Sequence, residues 1–528
     1  MNTPWIRRVE WIAAALLSAT VLGLLFVRAT HAGALWRDEC GTMQLALMPG
    51  VSDIIKNFAH QTLPPLFPLV MRFYARLFGT SNASLQAIRL LVGAALVFVA
   101  WFNSRTMGHS PPLILLALLG LNSIFLFWGA YTLFEVVLVL AFGLSAKLLL
   151  TPTSRQIAAA ALAAILAVHL LINNLVLVLA IDFSAALACV MRRSYKLAAS
   201  FAGIGLCCAL SDIVYLKTYS AADWAVVLKS PASFASIWNN LRLAFGQPSS
   251  IMPWAWSALF FGTIIGAAWL LAATWRRDSR QPLVILFGIL ILIVAPVAYG
   301  ASVRLSGYIT HPRHFLPVVA LLAANLDLLI AELACINWVR IARLGFAMAA
   351  LALLPFAAWP EIIKRQTNID IVARKLEQDA SHRDLIVVNP SLLGISFNWY
   401  YHGPAPWLTV PPINEHRIHR YDLVKAKMLE MDPLRELRSA IRQTLESGNR
   451  VWIVGGARPP EENLPESLLP APDPEFGWSA RAYSNVWSLQ LGHFLRTHVL
   501  FGEVVISPAN DVSEIENVPL LVAQGWQD

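Results

Sequence analysis

Leu35-Trp36-Arg37-Asp38-Glu39-Cys40-Gly41 stands a few residues beyond an apolar run, Trp11 through Arg28, that is long enough to cross a bilayer. Two adjacent carboxylates just past a first spanning segment open a polar connection that runs to residue 83. Outward from this junction the same alternation repeats: an apolar run, a short or long connection, then another apolar run, as far as Pro360. Beyond Pro360 it stops, and the composition becomes that of a water-soluble domain.

Composition agrees with this pattern. Of 528 residues, 57% are hydrophobic and 14% charged, and the mean hydropathy is +0.58. Soluble domains are nearer 45–50% apolar and about 25% charged. These values exclude a disordered chain, an enzyme soluble throughout its length and a nucleic-acid-binding protein. The net charge of +8 is no argument for a nucleic-acid partner, because membrane proteins carry basic loops for topological reasons. The five cysteines, Cys40, Cys189, Cys207, Cys208 and Cys335, show no CxxC spacing. No disulfide framework or zinc site is legible.

Eleven segments qualify as candidate spans: 11–28, 84–102, 111–130, 131–150, 156–173, 174–191, 197–215, 254–274, 282–301, 314–333 and 342–359. With Arg7 and Arg8 marking a cytoplasmic N-terminus, alternate connections carry Arg105, then Arg155, then Arg192, Arg193 and Lys196. Next come Arg276, Arg277 and Arg280, then Arg340 and Arg343. Every inward connection is basic, as the positive-inside rule requires. The run to Thr30-His31-Ala32-Gly33-Ala34 reads as an uncleaved helix in preference to a cleaved signal peptide. The expectation is a polytopic α-helical membrane module, 1–359, with outer connections 29–83 and 216–253, followed by an extracytoplasmic α/β domain, 360–528. Asp53–Phe58 and Leu66–Phe78, too short or too charged to span, read as interfacial amphipathic helices.

In the tail, 384–388 and 450–456 read as strands, with a helix up to Tyr401 between them, a helix from Pro433 to Ser447, a further helix over 485–498 and a strand over 500–506. Alternating strand and helix predicts a small α/β domain. Pro459–Pro474 is a surface loop. Val454-Gly455-Gly456 lacks the dinucleotide fingerprint and the P-loop lysine, so no nucleotide is expected. Phe397–Gly403 is either an acceptor-lining aromatic stretch or an ordinary core helix.

Asp38 and Glu39 are either plain loop charge or a base at the membrane surface, one acting while its neighbour orients a partner. After them come His60-Gln61-Thr62-Leu63-Pro64-Pro65-Leu66-Phe67, then Arg72-Phe73-Tyr74-Ala75-Arg76-Leu77-Phe78-Gly79, then Arg89-Leu90-Leu91 entering the second span. Pro312-Arg313-His314-Phe315-Leu316-Pro317 opens the tenth. Within apolar runs lie Glu135, His169, Asp182, Asp212 and Asp327, each costly in a bilayer and by default a functional hypothesis. Asp182 and Asp327 read rather as helix-pairing groups. Glu135, following Tyr131, and His169, with Asn173 and Asn174, stay open between site residue and structural hydrogen bond. A metal at His311 and His314 is disfavoured for want of a nearby carboxylate.

The order and spacing of the Asp-Glu pair, the Pro-Pro-Leu-Phe segment, the Arg-Leu-Phe-Gly stretch and the Arg-Leu-Leu entry resemble the GT-C membrane glycosyltransferases. The branch resembled contains protein O-mannosyltransferases and lipid A aminoarabinose transferases. The likeness covers 1–335 in layout and is densest over 35–92. It implies transfer of a monosaccharide from a polyprenyl-phosphate donor to an acceptor hydroxyl outside the cytoplasmic membrane, with inversion. It assigns Asp38 as the general base and Glu39 as its support or as a contact to the acceptor. Arg313, flanked by Arg304 and His311, would bind the donor phosphate, and His60, Arg89, Tyr131, Glu135, His169 and Asn173 are candidate site-lining residues. Leu63 departs from the pattern, since many relatives carry His or Lys before the Pro-Pro. No metal ligand is assigned and a divalent metal stays open; the donor lipid is a substrate, not a cofactor. The implied setting is a bacterial inner membrane, with the N-terminus cytoplasmic and the tail periplasmic, in a monomer acting on a glycan, lipid or protein acceptor. The alternative is a transporter or flippase of a lipid-linked envelope precursor. A long outer loop, a large outer domain and the lack of any internal repeat speak against it.

Overall fold

The computed structural model describes residues 4–528 apart from 62, 107–109, 129–131, 231, 247–249, 278, 309, 335 and 458–466. Tyr131, Cys335 and the first half of the Pro459–Pro474 loop lie outside the described residues. The chain forms two compact units. The first comprises Met1–His31, Ala83–Leu216 and Pro231–Ile363, the second Ala32–Asn82, Lys217–Ser230 and Lys364–Asp528. A single boundary near residue 360 is therefore only part of the division. The first outer connection and the start of the second group with the tail.

In the helical unit, nine helices among the described residues are long and apolar enough to cross a membrane. They are Pro4–His31, Asn82–Thr106, Leu133–Leu150, Asn174–Met191, Tyr195–Ser220, Met252–Thr274, Gln281–Ser306, Pro312–Leu333 and Asn337–Ile362. Two of the eleven expected spans fall short. Ser154–Leu170 is apolar but shorter. The segment expected at 111–130 is broken: a helical turn at Leu113–Leu115 runs into a π-helical stretch, Leu116–Gly120, and after Asn122 the helix restarts at Ser123–Trp128. All of its described residues from Pro111 to Trp128 are buried. Backbone groups freed by a break must find partners where no water reaches, and they do. Asp327 accepts from the amides of Ile114 (3.0 Å) and Leu115 (2.8 Å). Asn122 accepts from the Ile124 amide at 2.9 Å and donates to the Ala244 carbonyl at 2.9 Å. Asp327 thus serves as a structural cap.

Close helix approach is set by small residues. A Cβ on Gly143 would lie 1.8 Å from Asn103 Oδ1, and Asn103 donates to the Val139 carbonyl at 3.0 Å. Arg340 and Arg343 are not simply solvated loop charges. Both donate to Glu10, which is wholly buried, and Arg343 also donates to Ser110. Their sequence position reports topology, but their side chains neutralise a buried carboxylate.

The second unit carries a five-stranded sheet: β1 Leu385–Val388, β2 Trp407–Thr409, β3 Val451–Val454, β4 Val499–Ile506 and β5 Leu520–Trp526. The order is β2-β1-β3-β5-β4, with β1 parallel to both neighbours and β5 antiparallel to both of its own. β1 and β3 are continuous apolar runs because helices cover both faces. Leu385, Val387, Val451 and Ile453 pack with Leu437, Ile441 and Leu445 of helix Arg435–Glu446. Ile386, Val388, Trp452 and Val454 pack with Ile369, Val372, Leu376, Phe397 and Tyr401. Phe397 and Tyr401 thus belong to the core. Gly448, at φ +75°, ends the Arg435–Glu446 helix as a C-terminal glycine should. β2 and β5 are the strands not anticipated.

The outer connections are integral to this unit. Helix Arg37–Ala46 donates through Gln44 to the Ile395 carbonyl (3.0 Å), and Asn398 donates to Gln44 (2.6 Å). Arg72, on helix Leu66–Phe78, closes on the carbonyls of Ala46 (3.1 Å) and Pro49 (2.9 Å). That helix buries Phe67, Met71 and Tyr74 and exposes Phe73, Leu77 and Phe78, the amphipathic pattern expected of it. Trp224, from the second connection, donates to the Ala59 carbonyl (2.8 Å), and Asp223 pairs with Lys425 (2.8 Å).

Candidate active site

In the second unit, Trp36 is extended and the helix begins at Arg37, which places Asp38 in its first turn. A carboxylate there is favoured by the helix dipole. Arg37 Nε donates to Asp38 Oδ1 at 3.2 Å, and His419 Nε2 approaches the same oxygen at 3.3 Å. Asp38 keeps about a quarter of its side chain exposed, whereas His419 is buried. The His419 ring stacks on Tyr421, with centroids 5.7 Å apart and planes 12° apart. Burial pushes the Tyr421 hydroxyl up to about 12, against the pull of Arg37.

Glu516 closes the far side of Arg37. Its Oε2 accepts the Arg37 amide at 2.8 Å and its Oε1 accepts from the Ser396 hydroxyl. Burial raises the Glu516 carboxyl to about 7, although both bonds and the Arg37 charge pull it down. Behind them Tyr400 accepts the Leu35 amide (2.7 Å) and donates to Asn82 (2.7 Å), fixing the chain that enters the helix. Cys40 is buried, and its thiol is raised well above the usual range by burial. Glu39 is buried, unlike Asp38. His60 faces Asp422 at 3.9 Å, with burial lowering its pKa despite that carboxylate. Asp422 is also held by Arg420 at 2.6 Å.

In the helical unit three guanidinium groups gather on two adjacent aromatic residues. Arg28 lies over the Phe127 ring at 4.2 Å and donates to the Ile362 carbonyl at 3.3 Å. Arg89 donates to the Phe127 carbonyl and to Gln86. Arg313 lies over the Trp128 ring at 4.3 Å. Cation–π contact and carbonyl bonding orient the planar groups. Such a cluster suits an anionic group of high charge density.

Other anticipated residues are more scattered. His311 is exposed and sits edge-on to His314, and Arg304 is exposed in the last turn of Gln281–Ser306. Glu135 is buried and its Oε2 has no hydrogen-bond partner among the described residues. Asn173 is exposed just before helix Asn174–Met191, and the Tyr299 hydroxyl donates to the His314 carbonyl. His169 bonds Tyr215 (3.0 Å) and Ser211 (3.1 Å), a helix-to-helix contact. Among the described residues no group of three or more His, Cys, Asp or Glu is arranged to hold a metal ion.

Sequence reasoning missed His419, Tyr421, Ser396 and Glu516. Asn414-Glu415-His416-Arg417-Ile418-His419-Arg420-Tyr421-Asp422 packs seven ionisable side chains into nine residues, and that density was the available signal. Nothing local marks Glu516, since its role arises only where the chain returns beside Arg37.

Fold and site together define a polytopic helical protein of membrane-spanning character with an α/β unit that holds a carboxylate centre. No family model matches the chain, and neither does any curated protein. Seven solved chains are similar. One is ArnT from Cupriavidus metallidurans, in a crystal structure bound to undecaprenyl phosphate. It is 12% identical, with 86% of this chain and 93% of that chain covered, at a TM-score of 0.43.

Proposed function

We propose that this protein is a GT-C-like integral-membrane glycosyltransferase that moves a monosaccharide from a polyprenyl-phosphate donor to an acceptor hydroxyl. The observation that carries this reading is the Asp38 centre: a part-exposed carboxylate, at the position the motif order assigns to the base, with Arg37 and His419 on one oxygen. A carboxylate so fixed can take the acceptor proton as the hydroxyl oxygen attacks the anomeric carbon. The bond from that carbon to the phosphate oxygen breaks, and its electron pair leaves on the polyprenyl phosphate. A phosphate monoester is already a good leaving group and needs positive charge more than a strong acid. In this reading Arg313 is the residue that the order of motifs in the sequence assigns to the donor phosphate. Attack opposite the leaving phosphate inverts the anomeric centre. In this reading the second unit is extracytoplasmic, which the basic connections support, and the protein works as a monomer in a bacterial inner membrane. No metal is needed in this scheme.

The test uses purified protein in nanodiscs with radiolabelled polyprenyl-phosphate sugars. Transfer by the wild type and a loss of at least about 100-fold in Asp38→Asn is the expected result. Undiminished turnover in Asp38→Asn would remove Asp38 as the base. Movement of donor lipid between leaflets without transfer would favour a flippase.

A further inference from the structure

We propose that His419, contributed by the C-terminal tail some 380 residues after Asp38 in the chain, is a positioning residue that fixes the Asp38 carboxylate for catalysis; this rests on the reading of Asp38 as the base. Three observations carry it. First, the contact is specific: Nε2 lies 3.3 Å from Oδ1, the oxygen that also takes Arg37 Nε at 3.2 Å. An ionised carboxylate only accepts, so at this distance Nε2 is the nitrogen that faces it as a donor. Second, the other ring nitrogen, Nδ1, is buried and has no hydrogen-bond partner among the described residues. A buried imidazole kept for stability alone would satisfy both nitrogens, because each orphan costs free energy. The Asp38 contact is therefore the polar contact this ring makes at Nε2. Third, the ring plane is set from outside the contact by its stack on Tyr421. Tyr421 in turn lies within the field of Arg37 and Asp38.

Together these make a two-point hold on a short side chain. Asp38 has two rotatable bonds, and Arg37 is its own neighbour and moves with the same backbone. His419 adds a hold from a distant segment of the chain. Misplacing a reacting group by about 1 Å can cost on the order of 100-fold in rate. Loss of His419 should therefore lower kcat, counted per folded molecule, and leave KM nearly unchanged.

The experiment compares His419→Ala, His419→Gln and His419→Phe in nanodiscs, alone and on Asp38→Asn. His419→Gln keeps a donor and His419→Phe keeps the stack on Tyr421 without one. Expected is a fall in kcat of about 10- to 100-fold for Ala and for Phe, with KM within about twofold and a partial recovery in Gln. On Asp38→Asn, His419→Ala should cost nothing further. Equal loss in Gln and Phe, a loss confined to KM, or an additive loss on Asp38→Asn would each overturn the proposal. A second measurement needs no turnover. In protein labelled with 15N-histidine, the Nε2 resonance of His419, assigned by its absence in His419→Gln, should move on Asp38→Asn. An unmoved resonance would overturn the contact itself. If it moves while no donor supports transfer, the assignment of glycosyl transfer fails and the contact stands.

Discussion

The carboxylate of Glu516 accepts the backbone N–H of Arg37 at 2.8 Å, joining two residues 479 positions apart in the chain. The last turns of the polypeptide thus brace the first turn of the helix that carries Asp38. Because Glu516 is buried and its carboxyl is raised to about 7, this brace is sensitive to pH. In an unfolded chain the same group titrates near 4.3. Between these values the folded state binds the extra proton, so the group's contribution to stability falls as pH rises from about 4.5 to 7. Wild type and Glu516→Gln, followed by differential scanning fluorimetry from pH 5 to 8, should diverge. The variant should gain on the wild type as pH rises, and parallel curves would contradict the assignment.

Glu10 and its two arginines form the second case. With Glu10 fully buried and Arg343 nearly so, removal of the acid strands two charges. Glu10→Ala should destabilise the helical unit by about 3–5 kcal/mol. The triple change Glu10→Ala, Arg340→Met, Arg343→Leu should recover much of that loss, because a well-packed apolar replacement avoids the desolvation cost. Chemical or thermal unfolding in detergent measures both. A single variant as stable as the wild type would mean that the triad is solvated.

Asp327 tests whether an acid in a membrane helix works in chemistry or in architecture. Its two oxygens take the amides that open the broken segment after Pro112. Asp327→Ala should cost about 1–3 kcal/mol in stability. At a temperature where it stays folded, transfer activity should remain within about threefold of the wild type. Wild-type stability with abolished activity would place Asp327 in the reaction.

Arg313 distinguishes a planar guanidinium from a point charge. Arg313→Ala should lower kcat/KM for the polyprenyl-phosphate donor by about 10- to 100-fold, the range of a lost charge-assisted bond. Arg313→Lys keeps the charge but loses the flat contact with Trp128, and should recover only part of it. Full recovery by lysine would show that charge alone is used.

How much of this was legible in the chain follows from the range of each interaction. Apolar length is a local property, so among the described residues nine helices long enough to span stand where the sequence put them, with ends shifted by several residues. Strands β1 and β3 are short unbroken apolar runs and were legible for the same reason. The segment at 111–130 has the composition of a span, yet Asn122 and Asp327 carry its broken backbone. Composition cannot show a break whose partners come from another helix. β5 reads as an unremarkable apolar stretch until β3 and β4 pair with it.

The sequence by itself determined a chain of membrane-spanning character, its basic connections, and the Asp-Glu pair after the first helix. Those are properties of residues and their near neighbours. Only the tertiary structure decided which of the two acids is part-exposed and which is buried, and that His419, Ser396 and Glu516 stand around Arg37 and Asp38. It also decided that Arg28, Arg89 and Arg313 share two aromatic residues. The physical reason is common to all of these. A buried polar group must find its partner wherever the fold brings one, and hydrogen-bond geometry has no fixed separation along the chain.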